Sequence, residues 1–254
     1  MSSALIESIS TQSHAQTSIT PWWGAWSAFL IVGCFYLTQA LGIALVQMVA
    51  GFSSLHQTWL FPLSLLLGTV GAGMVSWQFA IYRAKVYMNS DWFWEILGKT
   101  YDLRRLWRFV LLGLGLGFGF FALTEYGVPP PQDLPQPLFD AMLSAPFVLQ
   151  IGWILMFVVL FPVVEETLFR GFLFTGLAQS WRPSVAGLLT TLLFVAVHMP
   201  KVLEYWPALL AVTLIGSVTV LLRIGTGSLA PGIALHSTYN GTLVTAAFLT
   251  LPTT

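Results

Sequence analysis

Apolar residues run along most of this chain without a polar period, in blocks separated by short breaks rich in Pro, Gly or charge. A block of about 20 apolar residues is long enough to cross a bilayer as a helix, and only helices and closed barrels satisfy the backbone there. The pattern predicts spans near 22–50, 58–82, 106–124, 147–178, 184–200, 206–223 and 229–250, seven in all, within a range of six to eight. The fourth is longer than a bilayer needs, and the fifth and sixth are short or interrupted by Pro. No internal repeat is visible. The expected fold class is an all-α polytopic membrane bundle: a polar tail at 1–20, then a single membrane domain at 21–254.

Composition sharpens that expectation. The 254 residues are 56% hydrophobic and only 8% charged, with mean hydropathy +0.79, whereas soluble domains carry roughly 25% charged residues. Net charge is zero, so nothing points to nucleic acid as a partner. The one cysteine, Cys34, excludes an intramolecular disulfide and argues against a cysteine-based metal site. The first twenty residues hold no Lys or Arg and no uninterrupted apolar core, so they do not read as a secretory signal.

Charge also bears on sidedness. Arg83, Lys85, Lys99, Arg104, Arg105 and Arg108 are six of the ten cationic residues and cluster around the 83–105 connection. The positive-inside rule puts that connection in the cytoplasm, and the N-terminus with it; the absence of a targeting segment and the compact length suit a bacterial inner-membrane protein. The segment DWFWEIL, 91–97, sets aromatics beside acids like an interfacial helix. The loop 125–146 has three acids and no Lys or Arg, which suits the other side. Arg182 and Arg223 then fall at cytoplasmic ends. Four glycines at 113, 115, 117 and 119 read as a helix-packing surface.

Ionisable side chains inside apolar runs are costly and usually mark a functional interior. Residues 161–174, FPVVEETLFRGFLF, carry Glu165, Glu166 and Arg170. On a helix Glu166 and Arg170 stand at i and i+4, the spacing of an ion pair. Glu165 points about 100° away and is left over. Two more polar sites follow: His198, which ends FVAVH, and His236 with Asn240, at i and i+4 in HSTYN. His14 and His56 fall in the tail and a loop. A turn at Trp181, Arg182 and Pro183 would fold spans four and five into a hairpin. Glu165 precedes Trp181 by 16 residues and His198 follows it by 17, so both lie roughly 24–26 Å from the turn. His236, about eight residues into its span, matches that depth poorly.

Taken singly these are bland features: a structural ion pair, histidine struts between helices, an i,i+4 amide. Together they supply a carboxylate and an imidazole to activate water. A second imidazole and an amide are then available to stabilise an oxyanion. No Gly-x-Ser-x-Gly elbow or HExxH motif occurs. The economical chemistry is amide hydrolysis by activated water. A metal held by Glu165, His198 and His236 is the other route to such a water.

The motifs EETLFR at 165–170, FVAVH at 194–198 and HSTYN at 236–240 resemble, in that order, the EExxxR, FxxxH and HxxxN motifs of the CAAX protease and bacteriocin-processing family of intramembrane proteases. GFLF and GSLAPGI beside them are similar to the family too, and the resemblance covers about 145–250. It implies a membrane endopeptidase in which Glu165 is the general base and His198 holds the water. His236 and Asn240 would form the oxyanion site, and Glu166 and Arg170 would orient it. Members are often described as metalloproteases, and the sequence allows zinc; the metal-free mechanism is favoured, because no third strong ligand is needed if His236 and Asn240 are donors. The expected partners are a peptide or protein presented at the membrane, prenylated or not, and the bilayer itself. Two other functions use the same cluster: a proton-coupled transporter, and a non-catalytic scaffold or immunity protein.

Overall fold

The computed structural model describes residues 24–51, 57–86, 91–131 and 146–249. The polar tail, His14, His56 and most of the acidic loop lie outside those residues. The described residues form seven long helices, one short one and no strand. The long helices are α1 (Ala25–Gly51), α2 (Gln57–Val86), α4 (Trp107–Ala122), α5 (Phe147–Ala178), α6 (Pro183–Val202), α7 (Trp206–Thr226) and α8 (Ala230–Leu249); the short one is α3 (Trp92–Leu97). Among the described residues, five stretches are long and apolar enough to cross a membrane, in α1, α2, α4 with its π-helical extension, α5 and α7, and α6 is a shorter apolar helix. The chain is an integral, all-α membrane protein.

Two features of sequence set the packing. Pro183 opens α6 at a position where its missing N–H costs nothing, so α5 and α6 form the expected hairpin. Between α4 and α8, two of the four clustered glycines do the work. A Cβ at Gly113 would stand 2.5 Å from the Leu235 carbonyl, and one at Gly117 would stand 2.6 Å from Thr242 Cβ. Gly115 and Gly119 face open space. The α4 and α8 backbones approach closely through this i,i+4 pair.

Helix α5 is irregular. Turns of π-helix occupy Met156–Leu160 and Thr167–Leu173, on either side of the two glutamates. Single π turns inside α-helices recur at functional sites. The largest core cluster lies beside the second of them, where Phe169, Phe172 and Leu173 pack with Ile31 and Phe35 of α1, Ile96 of α3 and Phe194 of α6.

The start of α8 departs most from expectation. The turn before it does not lie level with Trp181. Leu229 packs at Gly171, with 3.5 Å between its Cδ1 and a Cβ built there, roughly 15 Å along α5 from the hairpin turn. A short antiparallel bridge between Gly98 and Ser228 holds the turn in this sunken place. Lys99 N–H donates to the Gly227 carbonyl at 2.8 Å and Leu229 N–H to the Leu97 carbonyl at 3.2 Å. Helix α3 is accordingly more than an interfacial ribbon, because Ile96 is buried against Gly171 and Phe172.

Candidate active site

Glu165 and Glu166 leave α5 on different sides, as consecutive helical residues must. Glu166 points into the bundle. Its Oε1 lies 3.3 Å from Arg170 Nη1 and 3.1 Å from His236 Nδ1, and both Glu166 and Arg170 are fully buried. The i,i+4 ion pair read from the sequence is therefore present. Arg170 also donates from Nη2 to the Gly216 carbonyl at 2.8 Å, and its guanidinium lies 4.4 Å from the centre of the Phe194 ring. Gly232 gives the carboxylate room, since a Cβ there would come 3.0 Å from Glu166 Oε2.

Glu165 faces α6 and α8 and keeps 22% of its side-chain surface. Its Oε1 is 3.8 Å from His198 Nε2 and its Oε2 is 3.9 Å from His236 Nε2. Both separations are too long for a direct hydrogen bond and short enough for one molecule of water to touch both groups. Carboxylate and imidazoles meet at the depth that the hairpin count gave for His198. His236 also arrives, because the sunken turn starts α8 deep enough to offset its early position in the helix.

The other ring nitrogens fix how these imidazoles present themselves. His198 Nδ1 lies 2.7 Å from the Phe194 carbonyl. A carbonyl only accepts, so Nδ1 carries the hydrogen and the neutral ring offers a lone pair at Nε2 toward Glu165. The Phe194 and His198 rings lie 4.5 Å apart, which holds the imidazole in place. His236 Nδ1 faces a carboxylate and likewise donates.

Asn240, one turn beyond His236, donates from Nδ2 to the Phe157 carbonyl at 2.9 Å. That carbonyl lies in the first π turn, where Phe161 N–H reaches back to Met156. Phe157's partner in that register would be Pro162, which has no N–H. The Asn240 amide thus ties α8 to the backbone just before the glutamates.

The sequence reading assigned no role to two further residues. Tyr36 of α1 packs against Phe169, with ring centres 6.4 Å apart, and lies within electrostatic reach of Glu165 and Arg170. Arg223, taken from the sequence as a charge at a helix end, is buried and bonded to backbone carbonyls. Glu165, His198 and His236 are the ligand types that zinc takes, yet among the described residues no group of three or more His, Cys, Asp or Glu is arranged to hold a metal.

Residues 147–242, which span α5 to the middle of α8 and hold all six polar site residues, match the family model described as type II CAAX prenyl endopeptidase Rce1-like. Over those residues the chain is similar to the CAAX-protease family. The match supports, in general terms, a membrane endopeptidase of the CAAX type. The match leaves α1 to α4 uncovered. No curated protein and no solved structure matches the chain.

Proposed function

We propose that this protein hydrolyses a peptide bond at the membrane with a water molecule activated by Glu165 and His198. The observation that carries this reading is the contrast between neighbouring carboxylates: Glu166 is consumed by Arg170 and His236, whereas Glu165 stands partly exposed between two imidazole Nε2 atoms. A water at that point gives one hydrogen to Glu165 and the other to the His198 Nε2 lone pair. Its oxygen lone pairs are then free to meet the scissile carbonyl. As the water attacks, its proton passes to Glu165 and the carbonyl oxygen becomes an oxyanion. Glu165 then hands the proton to the departing amine, which closes the cycle with no covalent intermediate.

His236 and Asn240 are the proposed oxyanion donors. Nδ1 of His236 is held on Glu166, and its Nε2 faces the open side beside Glu165. A hydrogen on that Nε2 would donate to the oxyanion. Asn240 keeps a second amide hydrogen beyond the one given to Phe157. Glu166 and Arg170 hold His236 and the α5 backbone in place. No metal enters the cycle.

The substrate class is a peptide or protein segment presented at the membrane, with the basic connection and N-terminus on the cytoplasmic face. The test is to incubate the purified protein, in lipid nanodiscs, with membrane-anchored peptides in H2(18)O. The expected result is a fragment whose new carboxyl terminus has gained one heavy oxygen. Substrate flux across proteoliposomes without any fragment would favour the transporter instead.

A further inference from the structure

The mechanism uses Arg170 but not the second buried guanidinium. Arg223 lies near the end of α7 and is only 6% exposed. A buried cation in a membrane bundle is expensive unless its donors are met. Here they are met mostly by backbone carbonyls rather than by a carboxylate. Nη1 donates to the Leu97 carbonyl at 3.1 Å and to the Gly227 carbonyl at 2.9 Å. Nη2 donates to the Ile96 carbonyl at 3.1 Å and lies 3.4 Å from Thr175 Oγ1.

These acceptors belong to three different parts of the fold. Ile96 and Leu97 end α3, Gly227 caps α7, and Thr175 lies near the end of α5. One planar, rigid fork therefore pins the sunken turn to α3 and to the site helix at once. The local backbone is built to admit it. Gly98 and Gly227 adopt φ of +79° and +70°, and a Cβ at Gly98 would collide with Arg223 Nη1. The consequence reaches the chemistry through His236. That residue lies seven positions beyond Leu229, so the depth of the turn decides where its imidazole stands against Glu165 and Glu166.

We propose that Arg223 is a positioning residue for His236, setting the depth of the 227–229 turn and with it the placement of the imidazole between the two glutamates. The proposal rests on the reading of His236 given above, and its test separates the two. Arg223→Ala and Arg223→Lys are purified in nanodiscs beside Arg83→Ala. The last removes a tie from α2 to Ser27 of α1, 2.9 Å long and away from the site. For Arg223→Ala, kcat is expected to fall about a hundredfold, the scale of an ångström of misplacement, with KM held and the pH profile of kcat displaced. Millimolar guanidinium should restore part of the rate. Arg83→Ala should keep the wild-type pH profile. Lys keeps the charge but loses the fork, so Arg223→Lys should lose about tenfold and carries the test if the Ala variant does not fold.

A readout independent of turnover is the 15N signal of His236, assigned by its loss in His236→Asn. It should move toward that of free histidine in the Arg223 variants while the His198 signal stays in place. A wild-type His236 signal together with a wild-type pH profile in folded Arg223→Lys would overturn the proposal. A displaced His236 signal in a protein that cleaves nothing would instead remove the catalytic reading and leave the positioning role standing.

Discussion

Helix α5 carries the same functional group on two sides in two different surroundings. On the side facing α7 and α8, Glu166 is enclosed by Arg170, His236 and the space left by Gly232. On the side facing α6, Glu165 is partly exposed, with its nearest imidazoles 3.8 and 3.9 Å away. A carboxylate tied to a guanidinium and cut off from water is a structural anion, poorly placed to accept and return a proton. A carboxylate with loose partners and an open face can do both. Neighbouring acids thus divide the labour between holding a shape and moving a proton, and the helical rotation of one residue is enough to separate them.

The largest expected effect on the enclosed side is Arg170→Ala. It leaves Glu166 buried without its counter-charge, a change that costs about 3–5 kcal/mol in comparable buried pairs. A clear fall in melting temperature is the expected reading. Replacing both partners, with Glu166→Leu and Arg170→Met together, should recover most of the stability but not the activity, because His236 then has no carboxylate at Nδ1. A double variant that cleaves normally would dissolve the distinction between the two sides.

On the open side, His198→Ala removes the lone pair opposite Glu165 and should slow cleavage at least about a hundredfold, with little change in melting temperature. Smaller still is Asn240→Ala. It removes the amide from the Phe157 carbonyl, which should cost about 1–3 kcal/mol and loosen the π turn before the glutamates. Thermal melts of the purified variants, read beside their turnover, check each of these.

Much of this was legible in the sequence. The i,i+4 spacing gave the ion pair between Glu166 and Arg170, and counting residues from Trp181 brought Glu165 and His198 to one depth. Both follow from helix geometry alone. The depth of His236 was not legible in that way, because helix counting assumes that turns lie at the membrane surface. Here the turn is drawn inward by Gly98, Gly227 and Arg223, contacts between segments more than a hundred residues apart. A sequence signal existed: an Arg four residues before a Gly at a helix end, with a second Gly closing the aromatic segment at 91–97. Tyr36 gave no such signal, since one tyrosine in an apolar span looks like any other. The engagement of Asn240 with Phe157 depends on the π turn, which no periodicity predicts.

The central claim is that Glu165, and not its neighbour, handles the proton, and it is tested most directly by comparing Glu165→Gln with Glu166→Gln under one assay. The measurement is turnover of a membrane-anchored peptide per folded molecule, with a thermal melt of each sample. The account predicts that Glu165→Gln melts like wild type and yields no product, whereas Glu166→Gln melts at a lower temperature. Wild-type turnover by folded Glu165→Gln would contradict it.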